Sequence, residues 1–250
     1  MVEGLPFASG NALFVVATPI GNLEDITLRA LETLKKADCI VCEDTRRTLK
    51  LLTHYDIRKP LLSIFGPKER RETDKILKLL SEGKNVALVS DAGTPGLSDP
   101  GNVVVAAARE NKFRIIPVPG ACAISSALSA SGLAGDGFVF LGFLRRAPGK
   151  VRKELKKAAE NGLAIVFYES PYRVVKTLEL AAEVLGENAS CFIGREMTKK
   201  FEEFLNGSLK EVASLLEKRE ILGEFTVVLK QQEKPEENPE ENPEKSVNGF

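Results

Sequence analysis

Apolar positions along the chain fall into short continuous runs separated by stretches in which they recur every three or four residues. The runs ALFVVA (12–17), DCIVCE (38–43), PLLSI (60–64), NVALVS (85–90) and FRIIPV (113–118) are short and rich in β-branched residues, which predicts strands. Between them lie ITLRALETLKKA, TRRTLKLLTHY, ETDKILKLLSEG and NVVVAAAREN, which carry helical spacing. In the first of these, Ile26, Ala30, Leu31 and Leu34 fall on one face. Five strands alternating with four helices predict an α/β fold with a parallel sheet and right-handed crossovers.

After PVPGACAISSALSASG the texture changes. Strands are expected at FVFLGF (138–143), LAIVFYE (163–169), ASCFIGR (189–195), KFEEFLNGS (200–208) and EFTVVLK (224–230). The third and fourth are only a few residues apart, as in an antiparallel hairpin. The pattern predicts two domains: an N-terminal parallel-sheet domain over 1–118 and a C-terminal mixed α/β domain over 119–230. Residues 231–250 repeat EENP and hold almost no apolar side chains, so a disordered acidic tail is expected there.

The length of 250 residues suits one large domain or two small ones, and 43% hydrophobic residues supply an adequate core. No apolar run is long enough to span a bilayer, and MVEGLPFASG lacks the features of a signal peptide, so a cytoplasmic protein is expected. The formal net charge of zero hides an asymmetry. The last twenty residues carry six acidic and two basic side chains, leaving 33 basic against 29 acidic in the first 230. A mildly basic body permits an anionic partner.

Four cysteines could suggest a metal site, but Cys39 and Cys42 occupy opposite faces of one strand, and Cys122 and Cys191 stand alone. Buried thiols and no metal are expected. The one histidine, His54, lies at a helix end, where it would interact favourably with the terminus.

Two Gly/Pro-rich loops, ATPIGNLED and SDAGTPGLSDPG, follow the first and fourth strands, and a third, PVPGACA, lies where the texture changes. In an open parallel sheet this edge binds ligands. Neither G-x-G-x-x-G nor G-x-x-x-x-G-K-[ST] is present, which removes the main support for a dinucleotide or nucleoside triphosphate. The loop SDAGTPGLSDPG carries Asp91 and Asp99 without an intervening Lys or Arg, which suits a ligand with a cationic centre, such as the sulfonium of S-adenosylmethionine.

Taken together, ATPIGNLEDITLRA, CEDTRRT, SDAGTPGLSDPG, PVPGACA, FYESPYRV, GREMTKKFEE and GEFTVVL resemble the tetrapyrrole methylase superfamily over roughly residues 12–230. Within it they are similar to the ribosomal RNA small subunit methyltransferase I branch, which methylates a cytidine ribose 2′-hydroxyl. One segment departs from that pattern: SIFGPKERRE stands where a His- and Asn-containing stretch is expected. The resemblance implies a two-domain α/β homodimer that holds S-adenosylmethionine in the cleft between its domains. It implies that Pro19, Asp91, Gly93, Thr94, Pro95, Leu97, Cys122 and Ala123 border the donor. Tyr168 and Glu169 would lie on the adenosine side, with Gly223 and Glu224 closing it.

A ribose hydroxyl is a poor nucleophile, so a group must accept or orient its proton. With no suitable histidine, carboxylates remain: Asp25, Glu43, Asp44, Asp91, Asp99 and Glu169. Glu43 and Asp44 are the candidate catalytic pair, with Arg46 and Arg47 beside them for RNA phosphate; capping of the following helix is the competing role for the two acids. The segment LRRAPGKVRKELKK (144–157) holds seven basic residues and one acid, which makes Arg145, Arg146, Lys150, Arg152 and Lys153 candidate RNA contacts. The leading expectation is an S-adenosylmethionine-dependent 2′-O-methyltransferase of small-subunit rRNA, acting on the RNA or on the assembled subunit. A tetrapyrrole C-methyltransferase and a non-catalytic donor-binding protein are the alternatives.

Overall fold

The computed structural model describes residues 11–64, 69–135 and 137–232; the acidic tail from residue 233 and positions 65–68 of SIFGPKERRE lie outside these. All ten expected strands form. The first five, β1 (Ala12–Val16), β2 (Cys39–Cys42), β3 (Leu61–Ser63), β4 (Val86–Val89) and β5 (Arg114–Val118), make a wholly parallel sheet in the order β3-β2-β4-β1-β5. The inner strands are buried on both sides, which is why their sequences run apolar without alternation.

Strand parity divides the core into two layers. Phe14, Val16, Ile40, Cys42 and Ala87 pack against α1 (Leu28–Lys36) and α2 (Thr45–His54) through Ala30, Leu34 and Leu52. Leu13, Val41, Val86 and Leu88 face α3 (Glu69–Ser81) and α4 (Asn102–Glu110) through Ile76, Leu80, Val104 and Ala108. The adjacent strands β1 and β4 therefore send their following helices to opposite faces, and their loops diverge to leave a crevice at the carboxyl edge.

The chain leaves this sheet at Val118, and α5 (Ala123–Ser131) packs on a second one. Its strands are β6 (Phe138–Phe143), β7 (Ala164–Glu169), β8 (Ser190–Arg195), β9 (Glu203–Ser208) and β10 (Phe225–Lys230), in the order β6-β7-β10-β8-β9. β6 and β7 are parallel; β10 is antiparallel to both of its neighbours, and β8 and β9 form the expected hairpin. On one face of the sheet, α6 (Pro148–Ala159), α7 (Val174–Leu185) and α8 (Leu209–Glu217) bury Val151, Leu155, Leu178 and Leu216. Helix α5 covers the other face with Ile124, Ala127 and Leu128, and Ile20 from the loop after β1 packs into that layer. The Asn22 N–H donates to Thr198 Oγ1 at 3.0 Å, tying the two halves together.

Candidate active site

The three Gly/Pro loops form one floor. Thr18 and Gly93 exchange a pair of backbone hydrogen bonds of 2.9 and 3.0 Å, and Ala17 N–H donates to the Val118 carbonyl at 3.1 Å. The Thr18 hydroxyl donates to Ser90 O, and the Ser90 hydroxyl to Gly93 O. Two glycines make this fit possible. Gly93 has φ +80°, the left-handed region, and Gly120 lies so close to Ala17 that a Cβ there would sit 3.1 Å from the alanine methyl.

Above the floor lies a cavity of about 350 Å³ between the two sheets. Of the donor-contact residues expected from sequence, Asp91, Gly93, Thr94, Leu97, Cys122, Ala123, Tyr168, Glu169, Gly223 and Glu224 line it. Pro19 lines a second, adjoining cavity, whereas Pro95 is buried and lines neither. Ile20, Ser98, Phe143 and Thr226 also line the first cavity and were not anticipated. Phe143 and Thr226 stand near the ends of β6 and β10 that face the crevice, so strand polarity was the available signal.

Three carboxylates, Glu43, Asp91 and Asp99, converge on this cavity, and Arg47 is the one cation among its described lining residues. Asp91 is fixed: it accepts from the Asp44 N–H at 3.0 Å and lies 3.5 Å from Arg47 Nε. Burial raises the Glu43 carboxyl above its usual range, and the charge of Asp91 adds to this against the pull of Arg47. Burial likewise pushes Asp99 from an ordinary 3.8 up to about 6, helped by the negative charges of Glu43 and Asp91 and opposed by a hydrogen bond with Ser90. The Tyr168 hydroxyl is raised above the usual phenol value by burial and by the nearby Cys122 and Asp99, and its ring packs edge-on to Phe140.

The acids of CEDTRR divide their roles. Glu43 faces the cavity, whereas Asp44 caps α2, accepting the Arg46 N–H at 2.9 Å and pairing with the Arg46 guanidinium at 2.7 Å. Those hydrogen bonds with Arg46 hold Asp44 down at about 2. Asp44 is thus the helix cap and lies outside the cavity lining, and Arg46 is its mostly exposed partner. Glu169 belongs to the cavity lining, but its carboxylate is turned away from it. Tyr168 faces the cavity, so Glu169, one residue on, faces the opposite side of β7. Its fully buried carboxylate accepts from the Thr177 hydroxyl (2.7 Å) and the Ser170 N–H (2.8 Å) and pairs with Arg173 at 3.2 Å. Arg173 in turn donates to the Leu144 and Arg145 carbonyls, both at 3.0 Å, which anchors the start of the basic segment beside Phe143.

Helix α6 begins at Pro148, so Lys150, Arg152 and Lys153 are helical. Arg145, Arg146, Lys150 and Lys153 are exposed, although Arg145 lies 3.4 Å from Glu154. Arg152 is turned to Glu183 of α7, at 2.6 Å, and is spent on packing two helices together. His54 ends α2 and stacks edge-on against Tyr55. The four cysteines are free thiols. No helix among the described residues is long and apolar enough to cross a membrane.

The raised Asp99 pKa has a measurable consequence. A carboxyl raised on folding favours the folded state below its ordinary pKa of 3.8, and that contribution is lost as pH rises through about 6. Asp99→Asn, which cannot ionise, should therefore gain thermal stability over the wild type progressively between pH 4 and pH 7. A difference in melting temperature that is flat across this window would show that Asp99 is not raised.

The family model for tetrapyrrole (corrin/porphyrin) methylases matches residues 12–213. A Thermotoga maritima protein named ribosomal RNA small subunit methyltransferase I is 48% identical over 221 residues, covering 88% of this chain and 99% of that protein. A Bacillus subtilis protein of the same name is 44% identical over 217 residues, covering 87% of this chain and 74% of its own length. Among solved structures, a cobalt precorrin-4 methyltransferase superposes with a TM-score of 0.67 at 16% identity, covering 88% of this chain and 94% of that one. A Thermus thermophilus uroporphyrin-III C-methyltransferase in complex with S-adenosylhomocysteine gives 0.63 at 20% identity, over 88% and 98% of the two chains.

Proposed function

Because this chain belongs to the ribosomal RNA small subunit methyltransferase I family of the tetrapyrrole methylases, we propose that it methylates small-subunit ribosomal RNA with S-adenosylmethionine as donor. The acceptor we infer is the 2′-hydroxyl of a cytidine ribose, and the working form a cytoplasmic homodimer. The observation that carries the reading is the cavity at the sheet's switch point, where Glu43, Asp91 and Asp99, with Glu224 at the wall, outnumber the single lining cation, Arg47. Such a site attracts a cation and repels a polyphosphate. The donor bound there supplies an electrophilic methyl on a sulfonium.

The protein's task is to align donor and acceptor in the cleft. The floor made by Thr18, Gly93 and Gly120 fixes the backbone against which a ligand lies. Asp91, locked by Asp44 N–H and Arg47, presents a fixed negative charge. Glu43 and Asp99 are the carboxylates placed to take the hydroxyl proton as the new C–O bond forms and the S–C bond breaks. A base whose pKa lies near 6 is ionised at neutral pH yet retains proton affinity, as this step requires. Asp44 acts one step back, through Asp91 and the start of α2. Arg47, together with Arg145, Arg146, Lys150 and Lys153, supplies positive charge for the RNA backbone.

The tetrapyrrole reading draws on structures only 16–20% identical to this chain, whereas the RNA-modifying relatives reach 44–48%. The deciding experiment offers tritiated donor together with small ribosomal subunits, free rRNA and a porphyrin precursor, then digests the RNA to nucleosides for mass spectrometry. We expect label in 2′-O-methylcytidine. Label in the tetrapyrrole, or in none of the three, overturns the reading.

A further inference from the structure

The segment GREMTKKFEE (194–203), which leaves β8, lines no part of the first cavity, yet it joins two of that cavity's walls. One wall is the loop after β1, which contributes Ile20; the other is Gly223 and Glu224, just before β10. Glu196 exchanges two hydrogen bonds with Glu224. Its N–H donates to the Glu224 carbonyl at 3.0 Å, and its carboxylate accepts the Glu224 N–H at 2.9 Å. Lys199 Nζ then reaches both carboxylates, Glu196 and Glu224, each at 2.9 Å.

The stem of Lys199 makes the other half of the joint. It lies so close across Gly21 that a Cβ on that glycine would overlap Lys199 Cγ and sit 2.7 Å from Thr198 Oγ1. The same hydroxyl accepts the Asn22 N–H at 3.0 Å. On the far side, a Cβ on Gly223 would come within 2.5 Å of Glu196 Cγ. The turn that brings these groups together holds Glu196 and Thr198 in the left-handed region, at φ +48° and +66°. Strain of this kind persists only where surrounding contacts over-determine it. Here Met197, buried between the two, packs with Ile20 in the α5 layer.

Lys199 and Glu196 are mostly buried, so solvent screens their pairing only in part; Glu224 is 74% exposed, and Lys199 is its one ion-pair partner among the described residues. We propose that Lys199 is a positioning residue of the donor site: it bridges the Glu224 wall to the loop after β1 and fixes the spacing of the two walls before a donor arrives. The proposal rests on the reading of the first cavity as the donor site. Lys199 is not among the residues that line that cavity, so it acts through Glu224 and the Ile20–Gly21 loop. Walls already held at their bound spacing spare the ligand the ordering of two loose loops, and affinity rises accordingly.

The test measures S-adenosylhomocysteine binding to the full-length chain by calorimetry, with the melting temperature alongside. Lys199→Met keeps the stem and loses the charge. Expected are a Kd raised about tenfold, a melting temperature within a few degrees of the wild type, and recovery of most of the affinity in Lys199→Arg. Glu224→Gln removes the partner at the exposed end of the bridge without touching the strained turn, and should also weaken binding. The double variant should bind no more weakly than the worse of the two singles, because both break one bridge. Gly21→Ala, at a position without positive φ, should displace the stem and weaken binding as well. Unchanged affinity in Lys199→Met overturns the proposal, as do fully additive losses in the double variant, which would make Lys199 act independently of Glu224. A wild-type chain that fails to bind S-adenosylhomocysteine overturns the donor-site reading and this proposal with it, whereas wild-type binding that Lys199→Met leaves unmoved overturns the proposal alone.

Discussion

Glu169→Ala is expected to destabilise the fold by about 3–5 kcal/mol, the usual cost of removing one member of a buried ion pair. The carboxylate is fully buried and holds the Thr177 hydroxyl, the Ser170 N–H and the Arg173 guanidinium. Alanine would strand all three. Glu169→Gln keeps an oxygen for Thr177 and Ser170 and should cost only about 1–2 kcal/mol. Urea unfolding at unchanged m-value reads both. Because Arg173 also grips the Leu144 and Arg145 carbonyls, the alanine variant should bind subunits less well even where it remains folded. Full stability combined with a selective loss of donor affinity would mean that the carboxylate points into the cavity after all.

Gly93→Val should lower S-adenosylhomocysteine affinity by about a hundredfold, or about 2.7 kcal/mol. A β-branched residue at φ +80° carries backbone strain of about 1–3 kcal/mol. Its Cβ would press on Ile20 Cγ2 at 3.3 Å, prising apart the loops that Thr18 and Gly93 bridge. Gly83 is the control. It also has positive φ (+83°) but stands in open space before β4, at the opposite end of that strand from Gly93, so Gly83→Ala should cost stability and leave ligand affinity intact. Equal losses of affinity in both variants would reduce the role of Gly93 to general strain.

Much of this architecture was legible in the residue pattern because the strands are short, apolar and β-branched, and because buried parallel strands do not alternate. ALFVVA and NVALVS could hardly be anything else, but their pairing as neighbours with diverging loops is a property of the assembled sheet. The direction of individual side chains was harder to read. FYES was expected to place both Tyr168 and Glu169 beside the donor, and both line the cavity, but neighbours on a strand point opposite ways, so the Glu169 carboxylate is bound to Thr177. CEDT holds a similar division, since Asp44 starts a helix and its side chain is taken by the Arg46 N–H and guanidinium. Arg152 could not be separated from its basic neighbours until Glu183, 31 positions on, was seen to meet it. The convergence of Asp99 with Glu43 and Asp91 belongs to the tertiary fold, because residues 43 and 99 are brought together only by the parallel pairing of β2 with β4.

The position of β10 governs when this catalyst can come into being. It is the strand latest in the chain among those described, yet it sits at the centre of the second sheet and brings Gly223 to Thr226 to the cavity wall. During synthesis, β7 and β8 must wait as unzipped edges until that segment clears the ribosomal tunnel. No nascent fragment ending before residue 225 can complete this cavity wall, so the methyl-transfer site closes only once β10 has been made and zipped between its neighbours.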